Sequence, residues 1–263
     1  MAAADLPLLE DDLDAPGLLP AAKVVPRRVQ LPPTVVLCWF HEVVAGLAER
    51  PGARLVTELR SENGVTPVWQ FEHRGVPVAV ANPGVGAPMA AMTTEELVAL
   101  GARQVVACGG AGALLPDLVL GHAVVVASAV RDEGTSFHYL PAGRVVEADA
   151  DVAAVLVRTL EAAGVAHLVG RTWTTDGLFR ETRARTDRRV AEGCVTVEME
   201  ASALIAVARR LGVPYGHLLM AGDSLAGEDW DHRGWTTAGD ARTALFEVAL
   251  DAAVAVAVAQ RPA

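Results

Sequence analysis

The sequence is poor in positive charge and in long apolar runs. Among its 263 residues, 22 are lysine or arginine and 32 are aspartate or glutamate, which gives a formal net charge of −10. Counterion release from nucleic acids and attraction to anionic lipids both need clustered positive charge, so this balance argues against either partner. The longest apolar runs fall short of the roughly 20 residues that a membrane-spanning helix requires. We therefore expect no nucleic-acid partner and no membrane partner.

Cysteine is scarce as well. Cys38, Cys108 and Cys194 lie far apart, each within an apolar run. An odd number in this arrangement is typical of buried thiols in a reducing compartment, and it indicates neither disulfides nor a metal site. The seven histidines do not cluster at ligand spacing, so we expect no metal. The acidic N-terminus is unlike a signal peptide, and we expect a cytoplasmic protein.

Apolar residues, by contrast, are plentiful, at 52% of the chain, and can form a sizeable core. Residues 1–33 show no periodicity and predict an irregular N-terminal arm. From Thr34 onward, apolar runs that suit buried strands alternate with helical patterns, the first of which, at 41–50, predicts a helix after the first strand. This alternation predicts one α/β domain over residues 34–263, with three layers (α/β/α) and a mixed central sheet.

The chain is organised around the stretch 195–227. Two carboxylates, Glu198 and Glu200, precede a helix of small residues over 201–211, and an apolar strand then leads to Asp223 in a predicted Gly-Asp-Ser turn. The ends of such elements commonly present catalytic groups. Each carboxylate taken alone is also typical of a helix N-terminus or an ordinary turn. Other features must therefore decide between these interpretations.

Two glycine-rich segments supply a second feature. One precedes a helix of small residues, and the other is a predicted turn that ends the buried strand beginning with RQVVAC. Free backbone N–H groups in such segments can hold an anion. The first segment contains no Lys or Arg and matches no phosphate-binding fingerprint. The predicted anion or water pocket consists of Gly84, Gly86, Gly109 and Gly110.

Four motifs occur in a specific order: SAVRDEGTSFHYLP, TWTTDGLFRET, VEMEASAL and the Asp-Ser segment after the next strand. Together they resemble the nucleoside phosphorylase/nucleosidase superfamily, which includes uridine phosphorylases, purine nucleoside phosphorylases and methylthioadenosine nucleosidases. The first two motifs are most similar to the uridine-phosphorylase-like branch. The likeness covers most of residues 34–258. It implies an enzyme that cleaves the N-glycosidic bond of a small-molecule nucleoside, as a homo-oligomer (dimer, trimer or hexamer).

The resemblance also implies roles for individual residues. Met199 and Glu200, with the adjacent Glu198, would contact the ribose, and a carboxylate suits a vicinal diol because it accepts two hydrogen bonds. Asp223 matches the acid that protonates the leaving base in purine-handling members. The residues that would hold the base are Thr175, Phe179 and Arg180.

The sequence departs from the phosphate-using members. They carry an Arg and a Thr around the second glycine-rich segment, where this chain has Ala107 and Gly110. Glu42, soon after the first strand, is in register with the glutamate that activates water in hydrolytic members. Both features favour hydrolysis by a Glu42-activated water, without a cofactor.

Two alternatives stay open. The first is phosphorolysis, in which phosphate is a co-substrate held by backbone amides or by an arginine of a neighbouring subunit, with Arg54, Arg60 and Arg74 as candidates. The second is a catalytically inactive binding or storage protein, since a fold is readily reused without its chemistry.

Overall fold

The computed structural model describes residues 6–10 and 12–260. Its strands are β1 (Thr34–Cys38), β2 (Arg54–Ser61), β3 (Gly64–His73), β4 (Val76–Ala81), β5 (Gln104–Ala113), β6 (Ala123–Asp132), β7 (Val145–Glu147), β8 (His167–Thr175), β9 (Cys194–Glu198) and β10 (Tyr215–Ser224). Its helices are α1 (His41–Ala45), α2 (Ala87–Ala99), α3 (Ala150–Ala162), α4 (Arg183–Ala191), α5 (Ala201–Leu211) and α6 (Gly239–Ala259). The predicted alternation of strands and helices is confirmed.

The strands form one mixed sheet with β5 at its centre. Strand β5 pairs in parallel with β1 on one side and with β10 on the other, and its end also pairs antiparallel with β9. Strand β6 joins β10 antiparallel and β8 parallel, and β8 joins β9. Strands β5, β10, β6, β8 and β9 therefore pair in a closed circuit, from which β1, β4, β3 and β2 extend.

Helices cover both faces of this sheet, which confirms the three layers. Leu97 of α2 and Leu204 of α5 belong to one apolar core. Leu156 of α3 and Phe246 of α6 belong to a second apolar core. Strand β1 is buried along its whole length, which explains why it is a continuous apolar run rather than an alternating one.

Three local predictions differ from the structure. Gly109 and Gly110 lie within β5 rather than in a turn, because β10 continues the pairing past them. Asp223 likewise lies within β10, whose last residue Ser224 pairs with Ala113 after a shift in register. The helix predicted after the first strand is short, since α1 ends at Ala45 and a 3-10 turn follows.

The described part of the arm contains two 3-10 turns, at Pro7–Leu9 and Ala21–Lys23, and otherwise irregular chain. Its end packs on the domain, where Leu31 is buried and its N–H donates to the carbonyl of Leu100. The boundary at residue 33 stays a prediction. In the described ranges, no helix has both the length and the apolar composition needed to cross a bilayer.

Candidate active site

The junction between β9 and α5 buries two carboxylates. Glu198 is the last residue of β9, and its Oε2 accepts hydrogen bonds from the backbone N–H groups of Glu200 and Ala201, at 2.7 and 2.6 Å. Its Oε1 accepts a hydrogen bond from the hydroxyl of Thr174 at 2.6 Å. Glu198 thus satisfies the first free N–H groups of α5, as a carboxylate at a helix N-terminus does. The sequence grouped Glu198 with the ribose contacts, but its two oxygens are engaged within the protein.

Glu200 joins this junction to the first glycine-rich segment. Its Oε1 accepts a hydrogen bond from the N–H of Gly86 at 2.6 Å, and only 7% of the residue is exposed. Burial raises the pKa of Glu200 to about 8, the negative charge of Glu198 adds to the rise, and the Gly86 N–H opposes it. Met199, between the two glutamates, is half-buried.

The glycine-rich segment itself is held by internal hydrogen bonds. The N–H of Gly84 donates to the side-chain oxygen of Asn82 at 3.0 Å, while that of Gly86 donates to Glu200. Both glycines have positive φ angles, 81° and 95°, which L-residues rarely adopt. The predicted anion pocket therefore lacks these two N–H groups as free donors.

Trp39, immediately after β1, connects the two glycine-rich segments. Its indole Nε1 donates to the carbonyl of Gly84 at 2.7 Å. Its ring also covers Gly109, since a Cβ atom on that glycine would lie 3.3 Å from a carbon of the indole ring. Gly110, by contrast, is exposed and faces open space. The sequence interpretation missed Trp39, because a tryptophan after a buried strand is typical of a core residue.

Asp223 lies near a second acidic group. Its Oδ2 accepts a hydrogen bond from the indole Nε1 of Trp230 at 2.6 Å. Burial raises the pKa of Glu181 to about 7, and the negative charge of Asp223 contributes. Arg183 connects the segment that contains Glu181 to the end of β10. Its guanidinium donates to the carbonyl of Leu225, just after β10, at 3.0 Å. Neither Glu181 nor Trp230 was among the predicted site residues, and Glu181 lies in a charged stretch that is typical of a solvated surface.

The three predicted base contacts occupy different environments. Thr175 is buried at the end of β8, and its hydroxyl accepts a hydrogen bond from the N–H of Gly177 at 3.1 Å. Phe179 is 94% exposed, and Arg180 is exposed beside it. Thr175 directly follows Thr174, whose hydroxyl donates to Glu198, whereas Phe179 packs against little of its own chain.

Glu42 forms an ion pair with Arg242 of α6. Its Oε1 accepts a hydrogen bond from Nη1 of Arg242 at 2.7 Å, and half of its side chain is exposed. Burial alone would raise the pKa of Glu42, but the hydrogen bond and the charge of Arg242 outweigh it and lower the pKa. A carboxylate in this state is a weak base. The structure therefore does not present Glu42 as a poised base.

Metal ligation is not evident in residues 6–10 and 12–260, where His, Cys, Asp and Glu side chains form no group of three suited to an ion. The structure instead contains a set of carboxylates, Glu198 beside Glu200 and Glu181 beside Asp223, and Glu200 is the most buried of the predicted carboxylates that are not used as a helix cap. Such a set can accept hydrogen bonds from hydroxyl groups and can stabilise a developing positive charge.

The superfamily resemblance is borne out by comparison with known proteins. The family model of the phosphorylase superfamily matches residues 33–258. The chain belongs to this superfamily. The uridine phosphorylase of Thermococcus kodakarensis is 35% identical over 108 residues, which are 41% of this chain and 39% of that protein. The uridine phosphorylase of Escherichia coli is 28% identical over 189 residues, which are 66% of this chain and 72% of that protein.

Solved structures of the superfamily share the fold. The uridine phosphorylase of Vibrio fischeri has a TM-score of 0.75 at 24% identity, over 92% of this chain and 100% of that chain. The AMP nucleosidase of Bacteroides thetaiotaomicron has a TM-score of 0.71 at 22% identity, over 88% and 90% of the two chains. These structural likenesses establish the three-layer domain. One of these two proteins is named as a phosphorylase and the other as a nucleosidase.

Proposed function

We propose that the protein cleaves the N-glycosidic bond of a nucleoside and transfers the sugar to water, releasing the free base. We propose water rather than phosphate as the acceptor because of the hydrogen bonds within the first glycine-rich segment. The N–H groups of Gly84 and Gly86 are both occupied by internal acceptors, and one of those acceptors is the carboxylate of Glu200. A phosphate dianion needs arginine forks or a dense set of free donors.

Glu200 is the group best suited to the sugar. Its Oε1 is fixed by the N–H of Gly86, and its second oxygen is the proposed acceptor for the sugar hydroxyls. Ribose hydroxyls donate to a carboxylate, and their hydrogen bonds favour its ionised form, so substrate binding should lower the raised pKa of Glu200. The ionised carboxylate then lies close to a sugar that acquires oxocarbenium character as the bond breaks.

Asp223 is the proposed acid for the leaving base. Trp230 fixes the orientation of its carboxyl group, and Glu181 places a second carboxyl group nearby. Burial, aided by the negative charge of Asp223, raises the pKa of Glu181 to about 7, so Glu181 can hold a proton beside Asp223 for transfer toward the base. Thr175, Phe179 and Arg180 stay the proposed base contacts, with Phe179 completed by a neighbouring subunit in a homo-oligomer.

Glu42 acts as the base that activates water only after its ion pair with Arg242 opens. Glu42→Gln tests this role. A base should show a loss of kcat of at least about 100-fold, with KM little changed. A purely structural partner of Arg242 should show a change in stability and a nearly unchanged kcat.

The second candidate function is phosphorolysis, which is favoured by the uridine phosphorylases among the relatives. Phosphate would then be a co-substrate held by a neighbouring subunit. The candidate ligands Arg54, Arg60 and Arg74 are all exposed, and each donates a hydrogen bond to a side chain of its own subunit. A phosphate site built from them would replace those hydrogen bonds.

The deciding experiment measures base release from uridine, inosine, guanosine and adenosine in phosphate-free buffer, and again with phosphate added. Release without phosphate supports hydrolysis, and release only with phosphate would establish phosphorolysis instead. Glu200→Ala serves as the control for site chemistry, because an enzyme should lose turnover by orders of magnitude. A storage protein would bind a nucleoside without turnover in both forms, and that result would overturn the proposal.

A further inference from the structure

Two aromatic side chains meet above the central strand β5. Trp39 follows β1, His217 lies on β10, and β5 runs between those two strands. The two rings are stacked, with centroids 5.6 Å apart and planes inclined by 18°. We call this pair the Trp39–His217 stack. It lies at the second glycine-rich segment, next to Gly109.

The stack depends on small residues beneath it. Ala107 lies opposite His217 in the register of β5 and β10, so their side chains point to the same face of the sheet. Two residues further along β5 is Gly109, where a Cβ atom would already lie 3.3 Å from the indole ring. A large side chain at either position would occupy the same space as the rings. The two small residues and the stack thus form one packing unit.

The stack offers no positive charge and few free polar atoms. The N–H of Trp39 donates to the carbonyl of Gly84, and Nδ1 of His217 is hydrogen-bonded to the hydroxyl of Tyr215 at 2.9 Å, so Nε2 of His217 is the one ring nitrogen of the pair without a partner in the described chain. Burial lowers the pKa of His217 to about 3, so the imidazole is neutral at physiological pH. The space between the two glycine-rich segments is therefore filled by uncharged rings.

We propose that the Trp39–His217 stack selects the acceptor: it occupies the space in which a phosphate dianion would lie and leaves the site open only to water. Trp39 and His217 are thus specificity-determining residues. This inference rests on the proposed function, since it explains why a member of a superfamily with phosphorylases would use water. The physical reason is that a dianion loses its hydration without gaining a cation, and the single unpartnered nitrogen of the stack, Nε2 of His217, does not replace arginine forks or a dense set of donors.

The test is a double-mutant cycle with inorganic phosphate as the probe. Ala107→Arg adds a cation beneath the stack, Trp39→Ala removes the indole, and the double variant combines both changes. Isothermal titration calorimetry measures phosphate binding to each variant. The double variant should bind phosphate at least tenfold more tightly than either single variant, because only it has both the cation and the space. Trp39→Phe combined with Ala107→Arg is the matched control, and it should resemble Ala107→Arg alone.

Two results would overturn the inference. The first is that Ala107→Arg binds phosphate as tightly as the double variant does, which would mean that the Trp39–His217 stack does not exclude phosphate. The other is a folded double variant that binds no phosphate. If Ala107→Arg does not fold, Ala107→Ser with and without Trp39→Ala asks the same question with a hydroxyl donor, and equal phosphate binding by those two variants would refute the idea. Binding is measured without turnover, so failure of the proposed function appears separately, in the base-release assay of the unmodified protein.

Discussion

Replacing Glu200 by glutamine tests the cause of its raised pKa. The rise from 4.5 to about 8 reflects burial first and the charge of Glu198 second. Ionising this carboxyl group in the folded protein therefore lowers the free energy of unfolding by about 5 kcal/mol, relative to a carboxyl group of ordinary pKa. Between pH 4.5 and about 8, the carboxyl group of Glu200 holds a proton in the folded state that it has lost in the unfolded state. Stability contributed by the protonated group is thus present at low pH and is lost as the pH rises through this window.

Glu200→Gln keeps the shape of the side chain and an acceptor for the Gly86 N–H, but it cannot titrate. Between about pH 5.5 and 7.5, the free energy of unfolding of the unmodified protein should fall more steeply with pH than that of the variant, by up to about 1.4 kcal/mol per pH unit. Urea denaturation at closely spaced pH values measures both slopes. Glu161→Gln, on an exposed part of α3, controls for the loss of one negative charge. Equal slopes for the unmodified protein and Glu200→Gln would refute the reasoning.

Two further substitutions probe the packing behind the site. Thr174→Val removes a buried hydroxyl that donates to Glu198 at 2.6 Å and accepts from the N–H of Ser202 at 2.9 Å, and we expect the free energy of unfolding to fall by about 2–4 kcal/mol. An unchanged urea midpoint would contradict this. Gly216→Ala places a methyl group 2.7 Å from the side chain of Val152 and should destabilise the fold by about 1–3 kcal/mol. A calorimetric Tm at or above that of the unmodified protein would contradict this, because it would mean that α3 accommodates the methyl group without a loss of stability.

The elements that local sequence determines were predictable. Helix α5 begins directly after Glu200 and ends before Gly212, which adopts the left-handed conformation that favours glycine at a helix C-terminus. Both signals lie within the helix or next to it. The arrangement of Glu200 near the start of α5 follows from the same local pattern, which is why the sequence could indicate it.

Contacts between distant parts of the chain could not be predicted in this way. Glu42 resembles a catalytic base in its position after β1, but its partner Arg242 lies 200 residues away on α6. Gly109 resembles a turn residue, but pairing with β10 extends the strand through it. The stacking of Trp39 on His217 likewise requires β5 to lie between their strands. No local pattern encodes these contacts.

The central position of β5 has a consequence for synthesis on the ribosome. Its residue Val105 pairs with Tyr215 of β10, whereas its other neighbour, β1, precedes it in the chain. At a typical 5–20 residues per second, roughly 5–20 seconds separate the emergence of β5 from that of β10. During that interval an apolar strand of the nascent chain has an unpaired edge, which can join the edge of another chain. The protein should therefore depend on chaperones during this part of its synthesis more than at its end.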